Sequence, residues 1–83
     1  MDNQNLIDMA NRIGDFFESM PDHEEALAGV ADHIHRFWEP RMRRALLGTL
    51  DAPDANGIAM SNFVREALVR HREQLTPAAP STI

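Results

Sequence analysis

The sequence predicts an all-α fold: a small bundle of about four short helices. Three observations carry this reading. Apolar residues recur at three- and four-residue spacing along most of the chain, with no strand-like alternation. The apolar runs are separated by short stretches bearing Pro, Gly, Asp or Ser, the residues that end one helix and cap the next. With 83 residues and no Cys, the chain makes one domain without disulfides, zinc thiolates or iron–sulfur clusters. A lone core of this size supplies roughly 3–5 kcal/mol, so added stability must come from close helix packing or from a partner. It also leaves room for self-association of the isolated chain.

The first helix is expected from about Asn3 to Met20. Leu6, Met9, Ala10, Ile13, Phe16, Phe17 and Met20 fill an arc of roughly 120° at ~100° per residue. Ile7 lies outside that arc, on a face that should be wet. Gly14 sits near its edge, where a missing side chain costs helix stability but lets another backbone come close. Pro21 closes the helix and Asp22 is a good N-cap for the next, with Glu25 three residues on.

The second helix runs to about Trp38. Its stripe is Leu27, Val30, Ala31, Ile34, Phe37 and Trp38. The short link makes the first two helices antiparallel neighbours. Pro40 suits the first turn of a third helix, ending near Leu50. Residues 51–57 read as a turn-rich loop. Ser61 caps a fourth helix to about Leu75, with Met60, Phe63, Val64, Ala67, Leu68 and Leu75 on one side and Val69 off it. Residues 1–75 form the predicted domain, and 76–83 a frayed, disordered tail.

Charge is divided along the chain. Residues 1–35 hold eight acids and one Arg, a net of −7; residues 36–83 hold seven Arg and five acids, a net of +2. The total of −5 argues against a nucleic-acid binder. No apolar run approaches the ~20 residues that span a bilayer, and the N-terminus is not a signal peptide. The chain reads as cytoplasmic, with no membrane contact.

Four of the eight basic residues fall within Arg36–Arg44, a stretch that also holds the only Trp. Arg, Trp and Phe anchor interfaces more often than other side chains. Helix three is apolar over roughly 200° at ~100° per residue (Met42, Ala45, Leu46, Leu47, Leu50), wider than one core-facing stripe needs, and Arg43 lies within that arc. Either the helix is buried on two sides, or the surplus face meets another protein. The size of the domain favours a partner, and the candidate contact residues are Phe37, Trp38, Pro40, Arg41, Met42, Arg43, Arg44 and Leu47. Two other readings compete: pairing of these arginines with Glu39 or with acids of the first helix, and, behind that pairing, a stand-alone adaptor or phosphate- or nucleic-acid-binding module using Arg41–Arg44.

No catalytic constellation is legible, and no metal site. His33 and His35 flank the second stripe about 160° apart at ~100° per step, so they do not share an ion. His23 should be solvated, and His71 should sit in the apolar arc of helix four, as a core residue or a partner contact. The pair Asp22 and Glu25 is a cap, not an acid/base couple.

Leu6-Ile7-Asp8-Met9-Ala10-Asn11-Arg12-Ile13 with Phe16-Phe17, then Phe37-Trp38-Glu39-Pro40-Arg41-Met42-Arg43-Arg44-Ala45-Leu46, then Val64-Arg65-Glu66-Ala67, resembles the delta subunit of soluble NAD-dependent formate dehydrogenases. The likeness spans roughly residues 3–75, and the Phe-Trp-Glu-Pro-Arg-Met-Arg run is its most specific part. It implies an accessory role. Such enzymes oxidise formate to carbon dioxide and reduce NAD, with a molybdenum or tungsten bis-pterin and iron–sulfur clusters in the large subunit and FMN in another. The delta subunit holds no redox centre and supports assembly, cofactor insertion or stability, chiefly through the large subunit.

Overall fold

The computed structural model describes residues 3–51 and 59–77. Within them the chain forms α1 (Asn3–Glu18), α2 (His23–Phe37), α3 (Pro40–Asp51), α4 (Asn62–Arg70) and a single turn, α5 (Arg72–Leu75). No strand occurs among the described residues. The all-α expectation is met. The predicted loop at 51–57 lies outside the described residues except for Asp51, which ends α3; the tail beyond Pro77 also lies outside them.

Both predicted caps form. The Asp22 carboxylate accepts from the Glu25 backbone N–H at 3.2 Å, and the Ser61 hydroxyl accepts from Val64 N–H at 3.2 Å. Each satisfies one of the orphan donors that open a helix. Helix four is shorter than its pattern predicts. His71 leaves helical dihedrals (φ −112°, ψ 24°) and separates α5 from α4, though Leu75 N–H still donates to His71 C=O across the break. The bend buries Leu75 while leaving His71 half-exposed rather than central to a core stripe.

The core lies where α2 packs on α1, α4 and α5 while α1 packs also on α3 and α4. Leu27, Val30 and Ile34 of α2, with Val64 and Leu68 of α4, are fully buried, each worth about 1.5–3 kcal/mol against exposure. Gly14 is buried between α1 and α4; a Cβ there would stand 2.5 Å from Val64 Cγ2. It is a side chain, not a backbone, that uses the space.

Three expected faces are corrected. Ile7, expected in water, is 2% exposed, and Phe16, expected in the core, is 73% exposed. The packed arc of α1 runs from Leu6 through Ala10 and Gly14 to Ile7, roughly 100° at ~100° per residue, because α3 and α4 cover that side as α2 covers the other. Phe37, expected in the α2 stripe, is 71% exposed at the helix's last position. On α3 the wide apolar arc is taken up within the chain: Leu46 and Leu47 are buried, and Met42, Ala45 and Leu50 pack against the core. The helix is covered on two sides.

Candidate protein-interaction site

The basic stretch is a corner between two helices. Trp38 is the C-cap of α2, extended at φ −98°, ψ 135°, with its N–H donating to Ile34 C=O at 3.0 Å. Pro40 then opens α3, where its missing donor costs nothing. The first helical bond of α3 joins Arg43 N–H to Glu39 C=O at 3.0 Å.

The eight candidate residues separate by accessibility. Trp38 is 6% and Leu47 5% exposed, so both hold the corner from inside. Met42 and Arg43 are half-buried. Arg43 turns onto α5: its Nη1 donates to Leu75 C=O at 3.4 Å, a long bond that serves one orphan carbonyl at a helix end. Its buried Nε has no acceptor among the described residues. Phe37, Pro40, Arg41 and Arg44 stay exposed.

Among the described residues, these arginines do not pair with Glu39 or with α1. Arg36 pairs one turn back with Asp32 of α2 at 3.1 Å, and Arg43 is turned inward. Arg41 and Arg44 have no ion pair among the described residues. Arg44 borders a depression of about 260 Å³ with Leu47, Gly48, Arg72, Thr76 and Pro77. There Arg72 reaches Asp51 at 3.2 Å, tying α5 to the end of α3.

His23 is exposed, as expected, and also joins the start of α2 to α4. Its Nε2 lies 3.0 Å from Glu66 Oε1, and its ring meets Phe63 at 5.9 Å. Glu66 also pairs with Arg70 at 3.1 Å, and Arg70 with Glu24. Exposed pairs of this kind contribute about 0–1 kcal/mol each. Among the described residues no three potential ligands converge as a metal site, and no helix is long and apolar enough to cross a membrane.

A second surface is not legible as a site in the sequence. Phe16 and Phe17 meet edge to face at 5.1 Å, Phe17 meets His33 at 6.3 Å, and His33 meets Phe37 at 4.9 Å. Together they form an aromatic ridge along the α1–α2 seam. Its signal was present as an overlong apolar stripe on α1, of which one edge is core and the other surface.

Residues 5–68 match the sequence profile of the NADH-dependent formate dehydrogenase delta subunit, FdsD. The chain belongs to this family. The match takes in α1 from Asn5 onward, α2, α3, the basic corner and α4 through Leu68, and leaves α5 outside. No curated protein and no solved structure matches the chain. As a formate dehydrogenase delta subunit it has partner subunits in a complex, in line with the resemblance carried by the corner residues.

Proposed function

We propose that this delta subunit is a non-catalytic, cytoplasmic accessory subunit that docks on the large molybdenum-bearing subunit of an NAD-dependent formate dehydrogenase and supports assembly, cofactor insertion or stability of the complex. The family match over residues 5–68 carries the reading. In it the Mo/W bis-pterin, the iron–sulfur clusters and FMN belong to partner subunits; a chain without Cys has no thiolate to offer a cluster.

The exposed guanidinium groups of Arg41 and Arg44, unpaired within the described chain, support the corner as one contact. Arg presents a planar fork of donors suited to carboxylates. Phe37 and Pro40 add apolar area beside them, while Trp38, Met42, Arg43 and Leu47 hold the corner's shape. Co-expression with the other subunits tests this. The wild-type chain is expected to co-purify with the large subunit, and Arg41→Ala with Arg44→Ala to weaken that association in a salt-dependent way. A wild-type chain that never co-purifies overturns the reading.

A further inference from the structure

We infer that the depression between α3 and α5 seats one carboxylate side chain, Asp or Glu, of a partner subunit, held by Arg44. The inference rests on the accessory-subunit reading and deepens it, because it names the chemistry that the partner brings to the outer side of the basic corner. The depression measures about 260 Å³, below the roughly 300–1,000 Å³ of sites for drug-sized ligands. It suits one side chain rather than a whole cofactor. Arg44 and Gly48 both line it, and residues four apart on a helix share a face. A Cβ on Gly48 would meet nothing within 4 Å. The space over Gly48 is therefore open, and a group placed there lies within reach of the Arg44 guanidinium.

The polar groups of the lining select the occupant. Arg72 is engaged by Asp51, its Nη2 donating to Oδ2 at 3.2 Å. Asp51 is the last residue of α3, whose C-terminal turn adds partial negative charge to that side of the pair. The Thr76 hydroxyl donates to Arg72 C=O at 2.7 Å. Arg44 is what remains: it is exposed and has no ion pair among the described residues. Two Arg against one Asp leave the lining with one positive charge in excess. A single carboxylate balances it, and its two oxygens match the fork of donors on a guanidinium. A dianionic phosphate would overshoot the balance and stand against Asp51. A Lys or Arg would meet Arg44 as a like charge, which is penalised.

The test uses the complex of this chain with the other formate dehydrogenase subunits. The chain has no Lys, so Arg44→Lys supplies its only side-chain amine while keeping the charge. A carbodiimide, which joins an amine to a carboxylate without a spacer, should then link position 44 to an Asp or Glu of another subunit, named by the mass of the joined peptides. Gly48→Leu should fill the depression and keep the helicity of the isolated chain, because the space is open. It should weaken retention in the complex roughly tenfold, as loss of a docked charge pair does. Gly48→Ala, too small to fill the space, should be retained like the parent. Equal retention of Gly48→Leu, a link only to Asp51 or to a second copy of this chain, or no link in an intact complex overturns the proposal while leaving the accessory role standing. Failure of the wild-type chain to co-purify overturns both.

Discussion

Gly14 of α1 faces Val64 of α4 with no room for one further carbon: a Cβ on Gly14 would lie 2.5 Å from Val64 Cγ2. Val64 is fully buried, so it cannot swing aside cheaply. Overpacking a core costs about 1–3 kcal/mol, and the better helix propensity of alanine returns only about 1 kcal/mol. Gly14→Ala is therefore expected to lose about 1 kcal/mol net. Gly48, on the exposed side of α3, has nothing within 4 Å of its Cβ position, so Gly48→Ala should gain about 0.5–1 kcal/mol. Urea unfolding of the two variants should give shifts of opposite sign; the same sign at both positions would refute the packing argument.

Asn11 fastens the approach to α4 onto α1. Its Nδ2 donates to Ala59 C=O at 3.0 Å and its Oδ1 accepts from Ser61 N–H at 2.9 Å, across about fifty residues of chain. Two net hydrogen bonds at about 0.5–1.5 kcal/mol each make Asn11→Ala cost about 2 kcal/mol. For a domain of this size that lowers Tm by about 8–16 °C. Asn11→Asp keeps an acceptor for Ser61 N–H but sets a carboxylate against the Ala59 carbonyl, so thermal unfolding should find it less stable than the parent chain.

How far the fold could be read from the residues follows from such particulars. The caps at Asp22 and Ser61 and the turn at Pro40 were legible, because each depends on a side chain and its immediate neighbours. The orientation of α1 was not. Gly14 and Asn11 add nothing to an apolar pattern, yet α4 and its approach pack on them, so the core face is centred away from the visible stripe. That displacement hid Ile7 inside and left Phe16 outside. The same limit applies to the candidate site: residue types at the corner mark it as a candidate interface, but only packing divides the buried Trp38 and Leu47 from the exposed Arg41 and Arg44.

The two caps sit on different helices and share no partner. Asp22→Ala and Ser61→Ala should each cost about 1 kcal/mol. Their effects should add within about 0.5 kcal/mol. Chemical denaturation of both single variants and the double variant measures this. A double loss well short of the sum would mean that α2 and α4 do not depend on their N-terminal caps independently.

Arg43 separates a structural demand from a binding one. Its Nη1 makes one long bond to Leu75 C=O, and its buried Nε has no acceptor among the described residues. Methionine at this position removes the cost of the unpaired Nε but leaves the Leu75 C=O without this long bond, two small terms of opposite sign. Arg43→Met should leave stability within about 1 kcal/mol of the parent. It should also leave retention in the formate dehydrogenase complex unchanged, since the guanidinium is turned onto α5. A marked loss of retention without loss of stability would show that Arg43 contacts the partner directly.

Trp38 and the exposed arginines should fail in different ways. Trp38 is buried at the turn from α2 into α3, and truncating a buried aromatic to alanine costs about 3–5 kcal/mol. That matches the roughly 3–5 kcal/mol a core of this size supplies. Trp38→Ala is expected to abolish most helical circular dichroism of the isolated chain and, with it, retention in the formate dehydrogenase complex. Arg41→Ala with Arg44→Ala removes two exposed charges that have no ion pair among the described residues, so helicity and Tm should stay near those of the parent while retention in the complex falls. The order of these losses is the measurement. If Trp38→Ala keeps full helicity but loses the partner, the indole belongs to the interface rather than to the core, and the division of the corner into an inner and an outer half is wrong.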